Sequence, residues 1–400
     1  MLDAAAEAEW TALTFPPAAA LLAEVSATKA PTPADLTRWR KLAAPEVVAA
    51  AMRIAEGRRK GRDKFTRAAA LWLDAKGAEQ ATAEAVARHK AERFAGAAVV
   101  ADLCTGVGGD SLALADVAGA VIAIDRDRAM LLRSRYNLGP YGVAARYWPV
   151  QMDAARFDPP PDCLVHIDPD RRAIGPRRAK DLAGYVPGLD ALRGLMRSAV
   201  GGAIKLGPAS DFADHFGGPG VEIEVVSLRG ECKEATCWFG RLAGAARRRA
   251  TALPAGATWT DRDGPIGHRA PTVTIGDRVF EPDASLIRAG LVDGFALAYG
   301  LGRISEVVDL LAGPRPDLAA APWLAEFELI EEGPLDRRRL RQRVAALGLG
   351  PLDVKVAGLD LDPAALRRDL RPPGPYPATL IAVGGGPARA LIARRVAKPG

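Results

Sequence analysis

Four hundred residues, 49% of them hydrophobic and 26% charged, suffice for two or three domains with separate cores and are too many for one small one. No run approaches the roughly 18 apolar residues of a membrane span, and the acidic start MLDAAAEAEW lacks the basic and apolar parts of a signal peptide. Four scattered cysteines without a C-x-x-C pair argue against a zinc site or a disulfide framework, so a reducing cytoplasm is expected, with no membrane and no metal; the net charge of +6 leans toward an anionic partner.

Residues 1–95 are expected to form a helical region, because helix formers dominate between breaks at Pro16-Pro17, Pro31, Pro33 and Pro45. Within it, GRRKGRDKFTR sets Arg58, Arg59, Lys60, Arg62, Lys64 and Arg67 around Phe65. Such a cluster could track a phosphate backbone and stack a base on the phenylalanine, or simply form a solvated helix face. In ATAEAVARHKAERFAG, Thr82 can cap a helix, Glu84 falls in its first turn, and Lys90 and Arg93 lie near its end. Glu84 and Lys90 are candidates for facing a ligand held beyond the next strand.

That strand opens the central stretch. An apolar run (Ala97 to Leu103) enters the turn Gly106-Val107-Gly108-Gly109, an Ala/Leu segment with helical spacing follows, and a second apolar run ends at Asp125. The pattern is strand, turn, helix, strand, a half-unit of a doubly wound α/β sheet. The glycines let a ligand approach backbone N–H groups at a positive helix start, and an acid about 20 residues on can accept bonds from ribose hydroxyls. These features describe a pocket for an adenosine-bearing cofactor. A dinucleotide turn wants a third glycine where Ser111 stands, and Asp102 would have nothing to do beside a pyrophosphate. An acid at Asp102 suits the charged methionine end of S-adenosylmethionine, which makes that cofactor preferred over nicotinamide or flavin.

A helix over DRAMLLRSRYNL, a third strand in ARYWPVQ and then Asp153 follow. The D-x-x-x-G-x-G-G turn resembles that of class I methyltransferases, and this resemblance implies that an acid just past the third strand, Asp153, holds the adenine amino group; Asp153 could equally be an ordinary turn aspartate. The candidate cofactor set is therefore Asp102, Cys104, Gly106, Gly108, Gly109, Asp125, Arg126 and Asp153. A fourth strand, Cys163 to Ile167, opens into Asp168-Pro169-Asp170-Arg171-Arg172, placing Asp168 near the glycine turn at the carboxyl end of the sheet. Asp168 and Pro169 are the candidate catalytic pair: the carboxylate could accept a hydrogen bond from an amine, and the proline stiffens the loop. Asp168 could instead cap the next segment and pair with Arg171 or Arg172. Arg171, Arg172, Arg177, Arg178 and Lys180 form either a basic rim suited to an anionic, phosphate-bearing substrate or a solvated loop in an Arg-rich chain. GGAIKLG, VEIEVVSL and EATCWFG supply further strands, the last two a hairpin.

A seam is expected from Ala243 to Gly256. Beyond it, PTVTIG, RVFEPD, WLAEFELI, PLDVKVAGLDLD and ATLIAVGGG alternate with helical segments, as in an α+β module over 255–400. Gly384 to Gly386 reads as a hairpin turn more readily than as a second phosphate loop.

Taken together, DLCTGVGGDSLALA, HIDPDRR, AIKLGPASDF, SLRGECKEATCWFG, EPDASLIRAG and LDVKVAGLDLDPAALRRDLR resemble a bacterial family of class I S-adenosylmethionine-dependent methyltransferases with a C-terminal THUMP-like domain. The D-x-x-x-G-x-G-G turn is more distantly similar to trimethylguanosine synthases. The resemblance implies a helical region (1–95), a Rossmann-like methyltransferase domain (96–245) and a THUMP-like domain (255–400). It further implies S-adenosylmethionine as cofactor, RNA as partner and methylation of a base nitrogen. Amine-methylating relatives usually carry Asp/Asn-Pro-Pro-aromatic where this chain has Asp168-Pro169-Asp170-Arg171. The alternatives are an RNA-binding protein that keeps the cofactor fold without catalysis, a small-molecule or protein methyltransferase, and a dehydrogenase.

Overall fold

The computed structural model describes residues 10, 11, 13, 16–171, 184–208 and 213–397. The chain divides into two compact units, one of residues 1–223 and 234–245, the other of 224–233 and 246–400. Among the described residues, no helix is long and apolar enough to cross a membrane.

The first unit begins with helices Pro16–Ala27, Pro33–Arg40 and Pro45–Gly61. Pro33 and Pro45 stand at helix starts, where a missing N–H costs nothing, and Thr32 with Asp35 closes a capping box ahead of the second helix. Leu21, Trp39, Val48, Ile54 and Trp72 fill their common core. Phe65 does not present itself for stacking: it is 4% exposed, in a cluster with Leu71, Leu73 and Val107. The basic residues around it are partly consumed locally, Arg58 donating to Leu71 O and Ser26, and Lys64 to Ala81 O.

Strands β1 (Val99–Leu103), β2 (Ala120–Asp125), β3 (Tyr147–Gln151) and β4 (Leu164–Ile167) follow. A short ribbon, β5 (Asp170–Arg171) with β6 (Tyr185–Val186), precedes β7 (Gly201–Leu206), β8 (Val221–Leu228) and β9 (Glu231–Gly240). Side by side, the order is β9-β7-β4-β1-β2-β3, parallel throughout except for β9 against β7. The order reverses beside β1, so the ends of β1 and β4 open a crevice, the usual ligand position in such sheets. Helix Gly109–Val117 covers β1 and β2 through Ala113, Leu114 and Ala115, and Phe94, Ala118 and Trp238 complete that core. This is the Rossmann-like α/β sheet, behind a helical N-terminus.

In the second unit, β10 (Arg248–Leu253) pairs antiparallel with β11 (Ala257–Thr260). The expected seam at Ala243–Gly256 is thus partly a strand. Buried Ala250, Thr251 and Ala252 are too small to show alternation in sequence, while Pro254 and Gly256 belong to the turn after it. The remaining strands, β12 (Arg278–Pro282), β13 (Gly302–Arg303), β14 (Leu311–Ala312), β15 (Leu324–Pro334), β16 (Leu349–Ala357), β17 (Tyr376–Val383) and β18 (Arg389–Arg395), form one sheet in the order β13-β14-β12-β15-β18-β17-β16. PTVTIG contributes only an isolated bridge, Thr272 to Arg303. Gly384 to Gly386 join antiparallel β17 and β18, so the hairpin reading holds and the phosphate loop falls. Helices Arg337–Ala346 and Pro363–Leu370 lay Leu340, Val344, Leu366 and Leu370 on Leu380 and Ile392.

Candidate active site

The turn after β1 bends through three left-handed residues, Cys104 (φ 60), Gly106 (φ 54) and Gly108 (φ 84). Gly106 is the cradle: nothing lies within 4 Å of where a Cβ would stand, and its N–H donates to Asp125 Oδ2 at 2.9 Å. Asp127 N donates to Asp125 Oδ1, also at 2.9 Å. Burial pushes the Asp125 carboxyl up from its ordinary value against these bonds. Each oxygen keeps a second lone pair for a ligand hydroxyl.

Cys104, Gly106, Gly109, Asp125, Arg126 and Asp153 line a cavity of ≈ 360 Å³ together with Asp168 and Pro169. Asp153 is exposed there, one oxygen accepting from Ala155 N at 3.0 Å. Burial, then the carboxylates of Asp125, Asp168 and Asp102, push the Cys104 thiol far up, so it stays protonated. The facing wall comes from Lys76, Gly77, Gln80, Ala81 and Thr82, which the sequence reading did not place in the pocket.

Two predicted cofactor residues do not line this cavity. Gly108 faces inward, where a Cβ would come within 2.9 Å of Ser134 Cβ; its glycine serves helix packing. Asp102 is 1% exposed and lies behind the cavity wall. Its Oδ2 accepts from Thr105 at 3.1 Å and from Ser111, and its Oδ1 from His166 Nδ1 at 2.7 Å. β1 and β4 pair Asp102 with His166, which brings these side chains together under the turn. The acid holds the glycine turn from behind.

Asp168 follows β4, its N–H bonded to Leu103 O at 3.2 Å. Among the described residues its ion-pair partner is Lys205, whose Nζ lies 2.6 Å from Asp168 Oδ2. Ile167 pairs with Ile204, so Lys205 stands level with Asp168 on the neighbouring strand. Lys205 also donates to Thr82 Oγ1 at 2.7 Å, and Thr82 donates to Asp110 Oδ2 at 2.7 Å. Asp110 Oδ1 is 2.8 Å from Lys90, which reaches Glu234 at 2.9 Å and His166 Nε2 at 3.4 Å. A continuous buried polar chain therefore runs from the glycine turn to the Asp-Pro corner. Burial favours the neutral forms of Lys90 and Asp110, yet pairing wins: Asp110 and Glu234 hold Lys90 well above its ordinary value, and Lys90, His166 and Lys205 hold Asp110 well below.

Lys90 is thus a buried tie rather than a ligand contact. Glu84 likewise faces away from the cavity, accepting from Thr66 N and Oγ1 at 2.8 Å and Tyr141 at 2.9 Å. Arg172, Arg177, Arg178 and Lys180 lie outside the described residues, and Arg171 is described only as backbone in β5. Sequence spacing gave no signal for Thr82 or Lys205, since Lys205 meets Asp168 only through strand pairing and Thr82 meets Lys205 from a segment far away in the chain.

Six aspartates (110, 125, 127, 153, 168 and 170) against Lys76, Arg126 and Lys205 make the described cavity wall acidic. An open glycine cradle, a ribose-competent carboxylate and an acidic wall around a void of ligand size fit an adenosine-bearing sulfonium compound. Fold and site together define a Rossmann-like methyltransferase.

A model of RNA cap guanine-N2 methyltransferases matches residues 97–173, and one of THUMP domain-like modules matches 324–395. The chain is 37% identical over 314 residues, 76% of its own length and 82% of theirs, to two Mycobacterium tuberculosis proteins, from strains CDC 1551 and H37Rv, each described as an uncharacterized S-adenosylmethionine-dependent methyltransferase. A crystal structure from Porphyromonas gingivalis W83, assigned as a methyltransferase, superposes with TM-score 0.71 at 21% identity, covering 90% of this chain and 98% of that one; this likeness concerns the fold. The chain belongs to the S-adenosylmethionine-dependent methyltransferases with a THUMP-like domain, and S-adenosylmethionine is its cofactor.

Proposed function

We propose that this enzyme methylates a base nitrogen of RNA in the cytoplasm. The observation that carries the reading is that Asp168 and the Gly106 turn line the same acidic cavity. The guanine-N2 family match over 97–173 and the THUMP-like match over 324–395 support RNA as the substrate class. So does the basic segment of Arg171, Arg172, Arg177, Arg178 and Lys180, which follows the Asp-Pro corner in sequence.

In this reading Gly106 and Gly109 present backbone to the cofactor, Asp125 and Arg126 its ribose side, and Asp153 its adenine side. The cofactor, when bound, supplies an electrophilic methyl group on a sulfonium that leaves as a neutral thioether. The protein's task is alignment and exclusion of water. The Asp168 oxygen not bonded to Lys205 accepts the N–H of the target nitrogen, turns its lone pair toward the methyl group, and takes up the proton the nitrogen sheds. Pro169, buried beside it, keeps the carboxylate from swinging.

The test is incubation with radiolabelled S-adenosylmethionine and total RNA from a strain lacking the protein, with mapping of the labelled nucleoside. A methyl on a base nitrogen is expected; RNA that stays unlabelled while a protein or small-molecule fraction takes up label overturns the reading.

A further inference from the structure

Lys205 is more than a counter-charge. It is nearly buried, with a side-chain exposure of 8%, yet it forms part of the cavity wall. An ammonium has three N–H donors. Two go to Asp168 Oδ2 and Thr82 Oγ1, and among the described residues no group takes the third. Asp168 Oδ1 is likewise unclaimed by a described residue. Burial works against the charge of Lys205, but Asp168, Asp110 and Glu234 hold its pKa above the ordinary lysine value, so it stays a donor at neutral pH.

The pairing has a chemical consequence. A carboxylate alone would serve an isolated amine, and an ammonium 2.6 Å away weakens it as an acceptor. What the ammonium adds is direction: the corner offers one acceptor and one charged donor side by side. The complement is a planar edge on which an N–H stands next to a ring nitrogen or a carbonyl oxygen, as on a nucleobase. An aliphatic amine has no acceptor in that place, and would leave a buried donor unpaired, the strongest form of discrimination by a polar site.

We propose that Lys205 selects the target group, by donating to the acceptor atom adjacent to the nitrogen that is methylated. The proposal rests on the base-nitrogen reading above and narrows it to amidine- or amide-like edges. Lys205 is a positioning residue for the target, with Thr82 as its anchor.

The experiment compares wild type with Lys205→Met and Lys205→Arg, using labelled S-adenosylmethionine and limiting total RNA from a strain lacking the protein, beside calorimetric binding of S-adenosylhomocysteine. Lys205→Met is expected to lose at least tenfold in kcat/KM for RNA with unchanged S-adenosylhomocysteine affinity, and Lys205→Arg to recover part of it. Wild-type kcat/KM in Lys205→Met overturns the proposal while leaving the base-nitrogen reading intact. If Lys205→Met does not bind S-adenosylhomocysteine, Thr82→Val replaces it, with a several-fold loss expected and no loss overturning the proposal. Mapping gives an independent readout: a methyl on a nitrogen flanked by an acceptor supports it, whereas a ribose oxygen or a base carbon overturns it. A wild-type protein that labels a lysine peptide and no RNA removes the base-nitrogen reading itself.

Discussion

The two units handle charge differently. Among the described residues, the first buries Glu84, Lys90, Asp102, Asp110, Arg133, His166, Lys205, Glu222 and Glu234, whereas the second buries Glu224 and Arg303. The second unit keeps most ion pairs at its surface, such as Arg343 with Glu331 and Lys355 with Glu281 at 2.8 Å, over apolar clusters on its sheet. Buried ion pairs are seldom worth more than well-packed apolar groups of the same size. A unit that carries so many is therefore holding a constellation in place, and that constellation ends on Asp168. The other unit is stabilised by apolar packing and uses its charges where water already solvates them.

Lys90→Met should break this contrast most visibly. It leaves Asp110 and Glu234 buried beside each other without their shared cation, so a loss of about 3–5 kcal/mol is expected in urea unfolding. A loss below that of an ordinary surface variant would mean the network is relaxed by water. Asp168→Ala acts on chemistry instead. Turnover on RNA should fall about a hundredfold or more through lost orientation, with S-adenosylhomocysteine affinity nearly unchanged in calorimetry; full turnover would remove Asp168 from its role.

Gly108→Ala tests the inward face of the turn. A positive φ of 84° and a Cβ crowding Ser134 predict about 1–3 kcal/mol of destabilisation by thermal unfolding. The corresponding Gly106→Ala change meets no protein atom, so its effect should appear more strongly in S-adenosylhomocysteine binding.

The pH dependence sharpens the comparison further. Burial raises the Glu84 carboxyl, but bonds from Thr66, Tyr141 and Arg88 outweigh it and leave it below the ordinary 4.5. The folded state thus binds this proton more weakly than the unfolded state does. The stability it adds is complete above pH 4.5 and is lost as the pH falls through the depressed folded value. Unfolding midpoints of wild type and Glu84→Gln should therefore converge as the solution is acidified; a constant gap would refute the linkage. The smallest effect is expected for Arg343→Ala, an exposed pair of the second unit, whose midpoint should match wild type within error.

Much of this was readable along the chain. The strand-turn-helix-strand order from Ala97 to Asp125, the placement of Gly106 and Asp125, the corner at Asp168-Pro169 and the hairpin at Gly384 to Gly386 are local patterns, each carried by period, glycine or proline. The apolar runs Leu380 to Val383 and Ala390 to Ala393 likewise announce strands, and both are buried without alternation.

The sequence by itself determined which elements form and where a ligand can approach backbone, because hydrophobic period and glycine conformation act over a few neighbouring residues. Only the tertiary structure decided the direction of the charges. It turned Asp102 inward to His166, buried Phe65, and brought Thr82, Lys90 and Lys205 to Asp110 and Asp168. A lysine in a strand looks the same in sequence whether it faces water or a carboxylate on the next strand. Its partner is set by sheet register, and register is a property of two chain segments far apart.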